Sequence, residues 1–285
     1  MKDFKLGAAI YLKSIAIRVK DRNKMIDFYK NTIGFDLKRE ENELAILGTQ
    51  EQDSEMLLLE ESPRANDYFG EIKKLRRLSL VIPSVEEMAD ILCRIRKTNY
   101  PIEGALEDQG RMGIFLKDPE GNELEIYHEE TKEQNQLKVM DQESLLHKSK
   151  ETYKKLSVDT YFEKIHLHVF DRLKERHFLN DLLGLKIYDE KNDIYVLNEG
   201  IFQVGITETK SKAMALPTHE VLGLDFLKFV ITQESMERLI QHLKSFKVDF
   251  FLDQRHTVLT IYDSIGVEWW FVIDTKKVKN KVKYK

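Results

Sequence analysis

Two histidines stand two residues apart in the segment FEKIHLHV, residues 162–169, a spacing that can share a metal ion or shuttle a proton. A β-strand rises about 3.3 Å per residue and alternates its side chains between faces, so His166 and His168 share a face at roughly 7 Å. Ile165, Leu167 and Val169 then turn toward a covering helix, and Lys164 joins the two imidazoles on the concave side. The same alternation sets Phe226 and Lys228 opposite Leu227 and Phe229, and puts Glu268 and Trp270 on one face of the last strand. Lys164, His166, His168, Phe226, Lys228, Glu268 and Trp270 are therefore expected to line one C-terminal cleft. Three chemistries are open to such a cleft. His166, His168 and Glu268 could ligate a divalent metal. The histidines could instead hydrogen-bond to Glu268, other polar groups and water. A cationic and aromatic wall also suits a small anionic or aromatic molecule, through charge pairing and stacking. No nucleophile elbow, phosphate loop, dinucleotide fingerprint or CxxC is present. His128, His147, His177, His219 and His242 are expected on solvated surface.

The elements that position these residues come from a repeat. LKSIAIRVKDRNKMIDFYKNTIGFDLKRE (12–40) aligns with FEKIHLHVFDRLKERHFLNDLLGLKIYDE (162–190) at a shift of 150 residues. Ile15, Val19, Asp21, Arg22, Lys24, Phe28, Gly34 and Glu40 each meet an identical residue. Unrelated segments would agree at on the order of 1/15 of positions, so the halves are copies of one domain. Each copy is doubled again in order: an alternating strand, an amphipathic helix, then three short strands. Met25, Phe28, Tyr29 and Ile33 share a helix face, and Gly34 supplies a C-terminal cap. A second unit opens at 75–82, a third at 162–169 and a fourth at 222–231. Four βαβββ units predict an α+β fold of two domains, each pairing two units into a curved, mixed and mostly antiparallel sheet with helices outside. The expected bounds are 8–128 and 161–275, joined by a polar linker with some helix at 129–160 and followed by a basic tail at 276–285. Within the linker, Leu137, Val139 and Met140 offer a packing patch.

Composition narrows the partners. The chain has 285 residues, 42% hydrophobic and 33% charged, with a formal net charge of −4, so no basic field for nucleic acid covers it. The six lysines of residues 276–285 read as a solvated end. A lone cysteine, Cys93, fits a reducing compartment and a packing role in an apolar helix. No apolar run approaches the roughly 18 residues that cross a bilayer. A cytoplasmic location is expected, with no nucleic-acid or membrane partner.

The strand and helix with Phe28-Tyr29 and Ile33–Phe35, closing in DPEGNELEIYHE (118–129), resemble the vicinal-oxygen-chelate superfamily of glyoxalase I, bleomycin-resistance proteins and extradiol dioxygenases. NQLKVM (135–140) followed by IHLHV (165–169) is similar to the two-domain bacterial catechol 2,3-dioxygenases. The resemblance spans roughly residues 8–275. Pro119 and Gly121 also read simply as a tight turn whose backbone Asp118 or Asn122 can bond.

The resemblance implies a divalent metal, Fe(II) or Mn(II), held by two histidines and a carboxylate with open positions for substrate. It places those ligands at Lys164, at Phe226 (or Asp225 in a shifted register) and at Trp270 in the C-terminal domain. In the N-terminal domain it places them at Ser14, Arg77 and Glu125. Ammonium, phenyl and indole groups offer no lone pairs to a cation, and in the N-terminal domain only Glu125 is a ligand type. Relatives usually lack the triad in the N-terminal half, so the C-terminal loss is the informative one. An Arg77–Glu125 salt bridge is expected in place of a metal. His256 and Tyr262 lie near the acid/base positions of the dioxygenases, out of register with them.

The leading expectation is a relative with a degenerate metal site and no cofactor that binds a small anionic or aromatic molecule. Two alternatives stand beside it. One is an active extradiol dioxygenase or glyoxalase-like lyase using His166, His168 and a carboxylate. The other is a non-catalytic interaction protein with filled clefts. A homodimer is the superfamily's default assembly.

Overall fold

The computed structural model describes residues 4–7, 9–65, 72–108, 110–130, 138–197, 202–211, 214 and 216–273. The basic tail and Leu137 lie outside them. The four expected βαβββ units are all present. The first is β1 (Tyr11–Val19), α1 (Arg22–Asp27) with a π-helical turn Phe28–Ile33, β2 (Asp36–Glu41), β3 (Leu44–Gly48) and β4 (Leu57–Glu61). The second is β5 (Leu75–Val81), α2 (Val85–Lys97), β6 (Gly104–Glu107), β7 (Arg111–Lys117) and β8 (Glu123–Glu129). β9 (Lys138–Val139) and α3 (Gln142–Leu146) follow. The third unit is β10 (Tyr161–Val169), α4 (Arg172–Arg176) with a π-helical turn His177–Leu182, β11 (Lys186–Asp189), β12 (Ile194–Leu197) and β13 (Phe202–Glu208). The fourth is β14 (Gly223–Val230), α5 (Gln233–Phe246), β15 (Phe251–Leu252), β16 (Val258–Tyr262) and β17 (Glu268–Val272).

Two compact units divide the chain. One gathers the described residues of Ile17–Ala65 and Leu75–Ile165, the other those of Met1–Ala16, Asn66–Lys74 and His166–Lys285. Within the first, β5, β8, β7, β6 and β9 lie side by side, with β10 next to β5. Within the second, β15, β16, β17 and β14 form a run that continues into β1, while β11, β12 and β13 run on to β10. Strands of the third and fourth repeats thus lie in different sheets. Pairs β5–β8 and β14–β17 are parallel, and the other registered pairs are antiparallel.

Alternation sets the two faces of each strand. Ile165, Leu167, Val169, Leu227 and Phe229 are fully buried, whereas the intervening Lys164, His166, His168, Phe226 and Lys228 are half-buried. Gly34 ends the first helix with φ 109°, a region that favours glycine. A Cβ there would lie 2.4 Å from Arg94 Nη2, and that guanidinium donates to the carbonyl of Ile33. Gly34→Ala is expected to destabilise the protein by about 1–3 kcal/mol through strain and a displaced arginine, read as a lower urea midpoint.

The Asp118–Asn122 turn forms as its residues suggest. Asp118 Oδ1 accepts from the amides of Glu120 and Asn122, and Oδ2 accepts from Asn122 Nδ2 and from the buried hydroxyl of Tyr29 at 3.0 Å. The linker is tied down by α2. Asp90 accepts from the amides of Lys150, Glu151 and Tyr153 and from Ser149 Oγ, and Glu87 accepts from the amide of Ser157. Met140 is buried as expected, whereas Val139 is exposed.

Candidate functional site

The seven residues expected in one cleft do not share a sheet. Lys164, His166 and His168 stand on β10, which lies between β13 and β5. Phe226 and Lys228 stand on β14, and Glu268 and Trp270 on its parallel neighbour β17. The backbone ladder that chooses a strand's neighbours leaves little mark on side-chain alternation, so faces were legible and partners were not.

In the unit holding β5 to β9, the concave face is built around Glu125. Cross-strand register places Arg77 opposite Glu123 and Ser79 opposite Glu125 on β5 and β8, with Phe115 of β7 opposite Glu125 on the other side. Glu125 is buried. It accepts from Ser79 Oγ at 2.7 Å and from Arg111 Nη2 at 2.8 Å. Arg77 instead bonds Glu123, through Nε at 3.2 Å and Nη2 at 3.1 Å, so the expected Arg77–Glu125 bridge is replaced by Arg111–Glu125. The extended strand carries Arg77 level with Glu123, one pleat short of Glu125. Arg111 lies over the Tyr127 ring, its guanidinium 4.0 Å from the centroid. Burial alone would raise the carboxyl pKa of Glu125. The charges of Arg111 and Lys164, the Ser79 bond and the charge of Arg77 outweigh it and hold Glu125 below the usual range. Tyr127 donates to Glu163, and burial followed by the Glu163 charge pushes its phenol pKa up.

Lys164 stands half-buried near this carboxylate and, among the described residues, has no hydrogen-bond or ion-pair partner. A cavity of about 400 Å³ opens beside Arg77, walled by Phe115, Lys117, Glu103, Gly104 and Glu123. The Arg77 guanidinium lies 5.0 Å from the Phe115 centroid.

In the other unit, β14, β17 and β16 present an aromatic face. Phe226 stacks on Trp270 at 4.7 Å and 15°, and Lys228 Nζ lies 5.7 Å from the Trp270 centroid. Trp270 Nε1 donates to Glu268 at 2.6 Å, and the exposed Tyr262 hydroxyl donates to the same carboxylate at 3.2 Å. Thr260 is buried opposite Trp270. Ser14, on β1, is fully buried, and Asp225 is buried on β14. His256 is exposed in the turn before β16 with φ 54°. The two strand histidines have other partners. His166 rests over Gly205 and shares a 2.8 Å hydrogen bond with Thr207, and His168 donates to the carbonyl of Lys73 at 2.8 Å. Glu268 is not on their sheet. Among the described residues no three His, Cys, Asp or Glu side chains converge as a metal site requires.

His128 corrects the expectation of solvated surface. It is buried on β8 and donates from Nδ1 to the carbonyl of Ile82 at 2.8 Å. Cys93 is half-buried rather than enclosed. Arg111, Ser79 and Glu163 are the site residues that sequence reasoning missed. Counting back from the Asp118 turn would have placed Arg111 on the face of Glu125.

Three comparisons bear on this geometry. Residues 11–126 match the family model of the Glyoxalase/Bleomycin resistance protein/Dioxygenase superfamily, and residues 156–271 match that of the CppA C-terminal family. A catechol-2,3-dioxygenase of Bacillus subtilis (strain 168) is 24% identical over 245 residues, 80% of this chain and 85% of that protein. The crystal structure of the cppA protein from Streptococcus pneumoniae TIGR4 superposes with a TM-score of 0.65 at 19% identity, covering 93% of this chain and 97% of that one. Glyoxalase I from Zea mays superposes at 0.57 and 12% identity, covering 93% and 92%. No helix of the described residues is long and apolar enough to cross a membrane.

Proposed function

We propose that this member of the glyoxalase/bleomycin resistance protein/dioxygenase superfamily, to which its residues 11–126 belong, has a degenerate metal site and holds a small anionic or aromatic molecule. The observation that carries the reading is the surrounding of Glu125. Among the positions that the family resemblance assigns to metal in the N-terminal domain, it alone bears a ligand-type side chain, and it is bonded to a guanidinium and a hydroxyl with Lys164 and Arg77 nearby. A divalent ion entering there would meet a carboxylate already bonded to the Arg111 guanidinium, with the Lys164 ammonium beside it, so the residues present do not fit the metal that the family implies. The same charges suit an anion. Lys164 is the natural anchor, because it is half-buried and its ammonium has no hydrogen-bond or ion-pair partner among the described residues. On the other unit, the Phe226–Trp270 stack with Lys228 beside it supports the aromatic part of the reading.

Two measurements test it. Protein purified without chelator should carry less than stoichiometric iron, manganese or zinc, and should not cleave catechol when Fe(II) or Mn(II) is added. Benzoate should bind by calorimetry, and Lys164→Met should weaken that binding about tenfold, a loss of one charge-assisted contact. Stoichiometric metal with ring cleavage would replace this reading with the active-enzyme one. Benzoate affinity unchanged in Lys164→Met would remove Lys164 as the anchor.

A further inference from the structure

A helix that packs on a sheet normally buries apolar side chains, and α4 departs from that. Glu175 is fully buried on it. At the matching position of the first repeat, 150 residues earlier, stands the fully buried Met25. Glu175 reaches the turn between β16 and β17. Its Oε2 accepts from Ser264 Oγ at 2.6 Å and from the Ser264 amide at 3.3 Å, while its buried Oε1 has no hydrogen-bond partner among the described residues. The same turn is organised by a second buried carboxylate, Asp263, which accepts from the amides of Ile265 and Val267 and from Trp269 Nε1. A buried ammonium stands beside the second of these acids. Lys74 donates to the carbonyls of Leu216 and Ile265 and lies within electrostatic reach of Asp263. From β12, the buried Tyr195 phenol, also without a hydrogen-bond partner among the described residues, is a further titratable group near Glu175; Arg172 and Arg176 of α4 and Asp193 surround that phenol.

The first half of the chain meets the equivalent turn differently. There Asp118 receives the neutral Tyr29 hydroxyl, and the residue corresponding to Tyr29 in the second half is Leu179. In the second half Trp269 Nε1 is the neutral side-chain donor to Asp263, and α4 brings a second buried carboxyl, that of Glu175, to the neighbouring Ser264.

We infer that Glu175, Asp263 and Lys74 form a proton-operated latch on the β16–β17 turn: with Glu175 protonated the turn is held against α4, and loss of that proton releases it. Ionised, Glu175 would have only the Ser264 donors to offset its charge in a buried site beside Asp263, where an uncompensated charge is strongly disfavoured. Burial, then the neighbouring Asp263 charge, raises the Glu175 pKa well above the ordinary carboxylate value. Burial also lifts Asp263 to about 6 and lowers Lys74 to about 8. The direction follows from linkage. The unfolded chain releases the Glu175 proton from about pH 4 upward while the folded chain retains it, so the stability the latch contributes declines as pH rises toward the folded-state pKa. The released turn lies directly between Tyr262 and Glu268, so opening would disturb the aromatic face that includes Trp270. That last coupling rests on the ligand reading above, whereas the latch itself does not.

Both tryptophans of the chain, Trp269 and Trp270, lie on β17, so intrinsic fluorescence reports on this hairpin. Titration of the full chain from pH 5 to 9 without ligand should give a reversible sigmoidal change in the wild type, accompanied by faster amide exchange at Ile265 and Val267. Glu175→Gln should abolish both changes. Glu175→Met, the side chain that the first repeat carries at this position, should do the same and decides the matter if the glutamine variant does not fold. A wild type with no transition, or a transition retained in the Met or Gln variant, overturns the latch. Failure of benzoate to bind would bear on the ligand reading only.

Discussion

Arg111→Met is expected to destabilise the protein by about 3–5 kcal/mol, the usual cost of leaving one partner of a buried ion pair uncompensated. Glu125 is buried and would keep only Ser79 as a direct partner, with Lys164 and Arg77 as its remaining nearby positive charges. Arg111 would also lose its contact with the Tyr127 ring and its 3.6 Å pairing with Glu129. The double variant Arg111→Met with Glu125→Gln should recover a large part of the loss, because it removes the orphaned charge as well as its partner. Urea denaturation of the two single variants and the double variant measures this. A single Arg111→Met variant within about 0.5 kcal/mol of wild type would show that Lys164 and Arg77 suffice for Glu125, and would weaken the electrostatic case against a metal there.

Asp90→Ala is the second large effect, expected at about 3–5 kcal/mol. One carboxylate caps three backbone amides and a serine hydroxyl of the linker, and hydrogen bonds to a charged group are each worth about 1.5–3 kcal/mol, less than additively. Neighbouring side chains on α2 hold the same segment, Glu87 at Ser157 and Arg94 at the carbonyl of Tyr153. The variant should therefore loosen residues 149–153 before it unfolds, and limited proteolysis there should accelerate with the drop in urea midpoint. Burial raises the Asp90 pKa and the Ser149, Tyr153, Glu151 and Lys150 bonds lower it further, leaving it below the ordinary value. The stabilisation is thus present above about pH 4 and fades as pH falls through the folded-state pKa; the alanine variant should lack that acid-side loss.

Local features were legible in the sequence because local physics sets them. Alternation identified the buried Ile165, Leu167 and Val169, the repeat located all four βαβββ units, and the Gly34 cap and Asp118 turn formed at the residues that favour them. Which strands become neighbours was not legible. Backbone ladders are nearly blind to side-chain type, so nothing in Lys164 or Phe226 announces that β10 lies by β5 and β14 by β17. The one expected cleft became two faces for that reason. His128 was misplaced because its imidazole finds a carbonyl, that of Ile82, which only the folded chain brings to it. The Arg111–Glu125 pair was recoverable in principle, since the hairpin register follows from the turn and puts both residues on one face.

Strand order also bears on synthesis. The first strand lies beside β14, which leaves the ribosome about two hundred residues later. At 5–20 residues per second that is a wait on the order of 10–40 s with one row of amides and carbonyls open to any passing strand. A nascent chain of this kind depends on its last quarter to shield its first, and premature termination before residue 223 would leave that edge bare.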